Sequence, residues 1–507
     1  MKKLFIYLFF LTLFSFPVKA NEFPLDPAIT YGKLDNGLTY YIRENENPKD
    51  KVSIKLIIKT GSIMEEDHQL GLAHLLEHMA FNGSKNFPKR KIDEYMSSIG
   101  LNLGSHYNAF TGFLKTSYDF EIPTKNKEDV EVAIKILADI SKNLSLEPEA
   151  FERERKIVEE EWRRKFGDSK KYIDEFHKFL FKNSRLLDRK PIGTIDIIQN
   201  FKYQDAIDFY QKWYQPQLMG FFVIGDIDTN HIIQTIKNNF EPFNNSKELE
   251  FPNYKIPDYP DNQFFVYQDD EQESIRFSIF EKNDFKKINS FKNYRETVIS
   301  YLTEVIFQRR VNEIKEKNEQ SFLDAYISNF NASDLDEFRI AAVVLKEDKI
   351  LAGIEDFLTL IEQIKQYGFL NSELKLAKKN QLNYLKRNLK ENETRSSDSY
   401  INEYQRHYLY DEMISGAVKE VEYTSDILPS ITVDDLSNYF KNYIKAENQI
   451  INIKAPEYIN NIPNREEINQ LLEKVSQKDI EPYQFTLKEV ELIQDELIGS
   501  KIIKVAL

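Results

Sequence analysis

The sequence predicts an α+β protein built from two tandem related domains, each an antiparallel-rich sheet flanked by helices. Strand-like and helix-like segments alternate along a chain of 507 residues, which is long enough for two domains. A proline-rich stretch at 251–263 separates two halves of similar pattern. Residues 205–214 resemble residues 435–444, because both have an acidic start, aromatic residues at matching helical positions and an apolar strand after them. We interpret this likeness as an internal duplication.

The elements of the first half follow from local signals. Residues 31–42 carry an Asn-Gly pair between two strand-like runs, which indicates a hairpin. A β-branched strand at 52–59 ends near Gly61, and Pro88 marks the start of a helix that reaches about Ser98. The other segments of this half are expected as strands at 102–108, 113–122 and 219–224, and as helices at 71–81, 129–142, 147–165, 205–214 and 230–239.

The pattern recurs in the second half. A strand is expected at 274–280, a long helix at 294–315 and another strand at 340–345, with several helices after them. This half contains one histidine, His407, for which a packing or solvated role is expected. Any metal chemistry is therefore expected in the first half.

The first twenty residues have the pattern of a secretory signal peptide. Lys2 and Lys3 precede an apolar run at 4–16, and residues 18–20 offer a cleavage site. The run is short for a membrane span, so we expect export without stable membrane insertion, to the periplasm or alternatively to the medium. The expected division is a signal peptide at 1–20, a first domain at 21–250, a linker at 251–264, a second domain at 265–480 and a tail at 481–507.

Composition argues against a disulfide-stabilised protein and against a nucleic-acid-binding protein. The chain has no cysteine, so an exported form cannot rely on disulfides and must be stabilised by its core. The net charge is −14 and the sequence shows no basic stripe with interleaved aromatic residues, so nucleic acid is not an expected partner.

One short segment carries the strongest chemical signal. In a helix over 71–81, with about 100° per residue, His74, Glu77 and His78 lie on one side. Two imidazoles at i and i+4 can bind one metal ion beside a carboxylate that handles a proton, which is the H-x-x-E-H order. The alternative is a partly buried helix with two histidines by chance. The chain has only seven histidines, so this spacing is improbable by chance.

A zinc ion held by two histidines needs a third protein ligand, and the acid-rich helix at 147–165 is the place to search. At about 100° per residue, Glu154 and Glu161 fall inside the apolar arc of this helix. A carboxylate on a buried face is costly unless it is paired or binds a metal, so both remain candidates. The arc is defined by Phe151, Ile157, Val158 and Trp162, and the acids outside it are Glu152, Glu159 and Glu160.

These residues resemble the pitrilysin/insulinase family of zinc metallopeptidases, the inverzincins. The likeness covers the mature chain nearly end to end, and it is strongest up to about residue 230. Its motifs are G-S-x-x-E at 61–65, G-L-A-H-L-L-E-H at 71–78, M-x-F-x-G at 79–83, N-A-F-T at 108–111, the glutamate helix at 152–163, P-I-G at 191–193, W-Y-x-P at 213–216 and G-D at 225–226.

The resemblance implies roles for the metal-site residues. His74, His78 and Glu161 would bind one Zn²⁺ per chain. Glu77 would be the general base that activates the zinc-bound water, and Glu154 would be a supporting catalytic acid. Glu161 is preferred to Glu154 as the ligand because it occupies the family's motif position, which the helix geometry alone does not decide.

The resemblance also implies a substrate-binding strand. Asn108, Ala109, Phe110 and Thr111 would form an exposed edge to which a substrate adds its own backbone as a further strand. The residues that follow, Gly112-Phe113-Leu114-Lys115, depart from the polar or acidic residues that the family often has there. The subsite preference of this chain is therefore left open.

The function implied by the resemblance is that of a zinc endopeptidase acting on peptides or unfolded polypeptide segments. Family members form a closed chamber from two halves, and this chain resembles the N-terminal half of a long bacterial exported member. A second-half subunit or a second copy of the chain is therefore the expected partner. The alternative is a non-catalytic scaffold or partner subunit of a metallopeptidase-like complex, although such members usually lose their metal residues.

Overall fold

The computed structural model describes residues 23–165, 171–245, 249–317 and 320–484. The expected signal peptide and most of the expected tail, from residue 485 on, lie outside these ranges. Two sheets with helices around them make up the described chain, one sheet in each half. None of the helices in these ranges combines the length and the apolarity that a membrane-spanning helix needs.

The first sheet has six strands in the order β1-β2-β6-β3-β5-β4. All neighbours are antiparallel except β2 and β6, which run parallel. The central strands β3 and β6 are the most buried, whereas β4 forms one edge. The strands are β1 (Thr30–Lys33), β2 (Thr39–Glu44), β3 (Lys51–Ile58), β4 (Tyr107–Thr111), β5 (Thr116–Pro123) and β6 (Met219–Gly225).

Nine helices of the first half are described, and the ones with clear caps begin where the sequence provides an acceptor. The Asn126 side chain accepts a hydrogen bond from the Glu128 amide at the start of α3. The Asp228 side chain accepts from the amides of Asn230 and His231 at the start of α9. The helices are α1 (Leu72–Met79), α2 (Lys91–Ser98), α3 (Lys127–Lys142), α4 (Pro148–Lys165), α5 (Lys171–Leu180), α6 (Arg185–Asp188), α7 (Ile195–Asn200), α8 (Tyr203–Trp213) and α9 (Thr229–Phe240).

The second sheet has five strands in the order β7-β11-β8-β10-β9. Its strands are β7 (Gln263–Asp269), β8 (Ile275–Asp284), β9 (Phe322–Asn331), β10 (Asp336–Leu345) and β11 (Gln449–Pro456). Its helices are α10 (Phe291–Lys317), α11 (Ile350–Tyr367), α12 (Asn371–Glu391), α13 (Ser397–Tyr410), α14 (Gly416–Ile427), α15 (Val433–Lys441) and α16 (Arg465–Ser476).

The two sheets repeat one topology, which confirms the prediction of two tandem related domains. The order β2-β6-β3-β5-β4 corresponds strand for strand to β7-β11-β8-β10-β9. In each sheet the one parallel pair joins the first of these strands to the last one in sequence, β2 to β6 and β7 to β11. Helices α8 and α15, which precede β6 and β11, are the two segments whose likeness suggested a duplication.

Several local expectations differ from the structure. The strand expected at 102–108 begins only at Tyr107, because residues 102–106 form a turn. Strand β9 was not expected from the sequence. Strand β7 begins at Gln263, inside the segment 251–264 that the sequence predicts as a linker. The division into domains stays a prediction.

The second half contacts the first through helix α13, which packs on the face of the first sheet opposite α1. Tyr404 and Tyr408 of α13 are buried there against Tyr41 and Phe222 of the sheet. His407 Nδ1 lies 2.7 Å from the Tyr41 hydroxyl, a packing position remote from metal chemistry. This contact fixes the orientation of the second half on the sheet that carries the site.

Gly220 of β6 is the tightest point of this contact. A Cβ atom at this position would lie 2.8 Å from the Tyr408 ring. We expect Gly220→Ala to lower the free energy of unfolding by about 1–3 kcal/mol through overpacking, measured by chemical denaturation. The cost should shrink in a Tyr408→Ala background, where the ring is absent. Equal costs in the two backgrounds would contradict the contact.

Candidate metal centre

The first turn of α1 is fixed by a buried carboxylate. Glu65 accepts hydrogen bonds from the amides of Gly71 (3.0 Å) and Ala73 (2.8 Å), and its side chain is fully buried. Burial raises the pKa of the Glu65 carboxyl to about 8, against the opposing effect of these amides and of the nearby Arg189 guanidinium. The carboxyl oxygens satisfy amide donors that the N-terminus of the helix itself leaves unpaired. Glu65 therefore sets the position of α1.

Two glycines allow the chain to enter α1 closely packed. Gly71 has φ of +97°, in the region that favours glycine. Gly193 also has positive φ, and a Cβ there would lie 2.4 Å from the Leu70 carbonyl oxygen. The motifs at 61–65, 71–78 and 191–193 thus have a shared structural reason, since together they hold the start of one helix.

Helix α1 presents both histidines on one side. His74 is buried and His78 is half-buried, and their rings meet edge to face with centroids 4.8 Å apart. The opposite side of the helix packs into the core of the first half through Leu72, Leu75, Leu76 and Met79. The apolar packing therefore directs the two imidazoles towards α4.

Helix α4 is anchored independently of the site. Phe151 and Val158 are buried, and the Arg155 guanidinium donates to the carbonyl oxygens of Ile198 and Phe201. The sequence predicts Ile157 in the buried arc of this helix, but its side chain is 42% exposed. The arc is thus narrower than the sequence indicated, but Glu154 and Glu161 both face α1.

The two glutamates contact different sides of the histidine pair. Glu161 Oε2 lies 3.7 Å from His74 Nε2, and its Oε1 lies 3.8 Å from His78 Nε2. Glu154 Oε2 lies 3.4 Å from His78 Nδ1, on the far side of that ring. Among the outlying acids, Glu152 pairs with Arg155 and Glu160 with Arg163. The geometry thus separates the roles that helix periodicity left open.

His74, His78 and Glu161 fit a zinc ion. One donor atom from each lies within 4.8 Å of the others, and within the described ranges this is the one group of three that does so. Two donors bound to one zinc at tetrahedral angles lie roughly 3.4 Å apart. The separations of the Glu161 oxygens from His74 and His78, 3.7 and 3.8 Å, are close to this distance. Two imidazoles and a carboxylate are also a ligand set that catalytic zinc sites use, with a position left for water.

The charges around the histidines favour a cation. Burial alone would lower the pKa of His78, but the carboxylates of Glu154, Glu161 and Glu77 outweigh burial and raise that pKa. The same negative charges would stabilise a divalent ion. Glu154 would orient the His78 ring, as carboxylates behind zinc-bound histidines do.

Glu77 lies on the same helix turn as the two histidines, half-buried. Its charge also acts on two buried tyrosines, Tyr118 and Tyr214, whose hydroxyls lie 2.9 Å apart. Burial first, and the Glu77 carboxylate in addition, raise the pKa of both hydroxyls, so both stay protonated at neutral pH. The sequence reasoning did not select these tyrosines, although Tyr214 stands in the motif at 213–216.

The expected substrate strand contacts the helix that carries the two histidines. Asn108, Ala109, Phe110 and Thr111 belong to β4, at the edge of the first sheet. Asn108 and Phe110 are exposed, Ala109 is half-buried and Thr111 is buried. Within the described ranges no strand of the sheet pairs with the outer side of β4. Outside the ladder with β5, the Tyr107 carbonyl oxygen accepts from the Gly104 amide (2.8 Å), and the Ala109 amide donates to the Asn108 side chain (2.9 Å).

Comparison with known proteins finds two family matches along the chain. Residues 40–186 match the family "Insulinase (Peptidase family M16)" and residues 200–381 match "Peptidase M16 inactive domain". The fold is similar to the crystal structure of the first half of the periplasmic protease PqqL from Escherichia coli. That match has a TM-score of 0.87 and 26% identity, and it covers 92% of this chain and 100% of that chain.

Curated relatives are longer than this chain. The probable zinc protease PqqL of Haemophilus influenzae is 29% identical over 447 residues, which cover 86% of this chain and 47% of that protein. The probable zinc protease PqqL of Escherichia coli is 31% identical over 373 residues, covering 72% of this chain and 40% of that protein. The chain thus spans about half the length of these relatives, or less.

The separate contacts of the two glutamates predict graded effects on metal binding. Glu154→Gln should weaken zinc binding about 10- to 100-fold, because it leaves the ligands in place but loosens the His78 ring. Glu161→Gln should weaken it further, because it removes a ligand. Glu160→Gln, on the exposed side of the same helix, is the matched control and should leave zinc affinity unchanged. Competition with a chromophoric chelator measures all three, and equal loss in the Glu160 and Glu161 variants would contradict the assignment.

Proposed function

The chain belongs to the insulinase family, peptidase family M16, and we propose that it is a zinc-dependent endopeptidase acting on peptides or unfolded polypeptide segments. The observation that carries this proposal is the convergence of His74 and His78 with Glu161, beside Glu77 on the same helix turn. A peptidase of this kind needs a metal ligand set, a base and a surface that holds an extended substrate. Residues suited to each of these tasks lie in the first half.

The chemistry divides among five side chains. Zn²⁺ held by His74, His78 and Glu161 would polarise the scissile carbonyl and make a water molecule more acidic. Glu77 accepts a proton from the attacking water and passes it to the leaving amine. Glu154 keeps His78 in its orientation through the 3.4 Å contact with Nδ1.

Strand β4 supports the proposed substrate class. An extended peptide can add to an exposed strand edge through main-chain hydrogen bonds, whereas a folded protein offers few free strands. β4 is at the sheet edge and contacts α1, so a peptide along it would pass close to the histidines. Binding through the main chain suits a peptidase of broad specificity.

A second half would complete the site. The crystal structure of the first half of the periplasmic protease PqqL from Escherichia coli matches 92% of this chain and 100% of its own. We infer that this chain also acts with a second half, supplied by the same polypeptide, by a separate subunit or by a second copy. The signal-peptide pattern of residues 1–20 and the periplasmic relatives support export to the periplasm.

Glu77→Gln tests the proposed mechanism. The amide keeps the size of the side chain but cannot accept the proton, so we expect kcat/KM on quenched peptides to fall about 100- to 10,000-fold. Zinc content, measured by mass spectrometry of the metal, should stay at one ion per chain. A variant that cleaves as fast as the wild type would refute the role of Glu77.

Metal removal supplies the companion experiment. A chelator should abolish cleavage by the wild-type chain, and stoichiometric Zn²⁺ should restore it. If the zinc-loaded wild type cleaves no peptide even with its second half present, the scaffold alternative replaces the enzyme.

A further inference from the structure

Lys115 is a cation without a counterion. It follows β4 in the turn to β5, where the Gly112 amide donates to the Lys115 carbonyl oxygen at 2.8 Å. Its ammonium forms no ion pair or hydrogen bond with any residue of the described ranges. Burial, and next the positive charge of Lys55, lower the pKa of Lys115 to about 8. A half-buried ammonium in this state is stabilised by a carboxylate partner.

Lys115 lines a cavity at the end of β4. The cavity has a volume of about 370 Å³, which lies in the range of small-ligand sites. Phe110 of β4, Phe113 and Leu114 form much of its apolar wall. Phe110 is 55% exposed, so its ring bounds the open side.

The second half closes the other side of the cavity. Leu409 and Tyr410 come from the end of α13, and Asp334 comes from the turn between β9 and β10. This turn is held in place, since the Tyr254 hydroxyl donates to Asp334 at 2.8 Å. The cavity therefore exists only because the two halves pack against each other.

The charge inside the cavity is positive on balance. Lys59 and Lys115 are its two cations, and Asp334 is its one carboxylate. The Lys59 ammonium is placed over the Tyr408 ring at 4.3 Å, and Asp334 is engaged by Tyr254. An anionic group of a ligand would meet Lys115 directly, without displacing a carboxylate.

The cavity adjoins the strand edge where substrate is proposed to bind. Phe110 belongs to β4 and borders the cavity, so a peptide strand paired with β4 would direct alternate side chains to this side. One of them would reach the cavity. The turn that carries Lys115 is the segment 112–115 in which the sequence departs from the family pattern.

We propose that this cavity is a specificity subsite for a carboxylate of the substrate, and that Lys115 is the residue that binds this carboxylate. This inference rests on the proposed function, because it assumes a peptide bound along β4. The carboxylate belongs to a Glu or Asp side chain, or to the free C-terminus of a short peptide. The apolar wall accommodates the methylene groups next to that carboxylate.

Paired peptides test the subsite on the full chain with its second half. Two series of quenched peptides carry Glu or Gln at each position in turn, and a third has a free or amidated C-terminus. We expect kcat/KM to be about tenfold higher for Glu than for Gln at one position, because a hydrogen bond between Lys115 and a carboxylate is stronger than one to a neutral amide. If only the C-terminal pair differs, the carboxylate is the terminal one.

Two variants assign the preference to Lys115. Lys115→Met should cleave the Glu and Gln peptides equally, at the wild-type rate for Gln. Lys115→Glu should favour a Lys peptide at the same position. Lys125→Met, an exposed lysine just after β5, is the matched control and should keep the wild-type preference. A preference that survives in Lys115→Met overturns the proposal, as does a wild type without preference in any pair.

Binding separates this proposal from the proposed function. The zinc-loaded Glu77→Gln chain should bind the preferred Glu peptide about tenfold more tightly than its Gln partner, measured by fluorescence anisotropy. A chain that neither binds nor cleaves any peptide overturns the proposed function together with the subsite. Equal binding and equal cleavage of each pair overturn the subsite alone.

Discussion

The contact between the histidines of α1 and the glutamates of α4 is the interaction on which the site depends. Each helix is held by contacts that do not involve the other's polar groups. The core packs one side of α1, and Arg155 ties α4 to the end of α7. The polar faces are thus brought together by packing elsewhere. An arrangement of this kind holds ligands in place before the metal binds, which reduces the cost of binding.

The start of α1 shows how a buried carboxyl group can serve position. The two hydrogen bonds that Glu65 accepts from the Gly71 and Ala73 amides fix the first turn of the helix that carries the histidines. Arg189 adds a second tie, because its guanidinium donates to the Glu65 carbonyl oxygen at 2.8 Å. Errors in the placement of α1 would pass directly to both imidazoles. The residues before α1 are therefore part of the machinery that orders the site.

The sequence predicted the repeated fold and the residues of the cluster, and it failed where side-chain contacts decide. Helix periodicity placed Glu154 and Glu161 on one face but could not tell them apart, since only the structure shows which ring atom each carboxylate meets. Ile157 was assigned to the buried arc because apolar residues are usually buried, whereas here it is exposed. Tyr118 gave no signal, and Lys115 stood out only as part of the departure at 112–115, because the surroundings of both come from segments distant in sequence.

The two halves use equivalent helices in different ways, and the difference explains why only one of them calls for a metal. Helices α1 and α10 follow β3 and β8, which are equivalent strands of the two sheets. In the first half α1 contacts α4, and in the second half α10 contacts α12. Helices α4 and α12 are each the second helix after the next hairpin. Between α10 and α12, Arg310 binds Glu373 through two hydrogen bonds of 2.8 and 2.7 Å, and both side chains are buried.

The two charges of this ion pair cancel, because the guanidinium and the carboxylate have opposite charges and complementary hydrogen-bonding geometry. Between α1 and α4 the balance is different, since two imidazoles face three carboxylates, and the ion pair between Arg153 and Glu154, at 3.8 Å, uses an arginine side chain that is 57% exposed. The second half is thus stable at this position as a scaffold, whereas the first half keeps an excess of negative charge that a divalent cation would offset. Under the proposed function, the duplicated fold separates two tasks, with catalysis assigned to the first half and support for the cavity wall to the second.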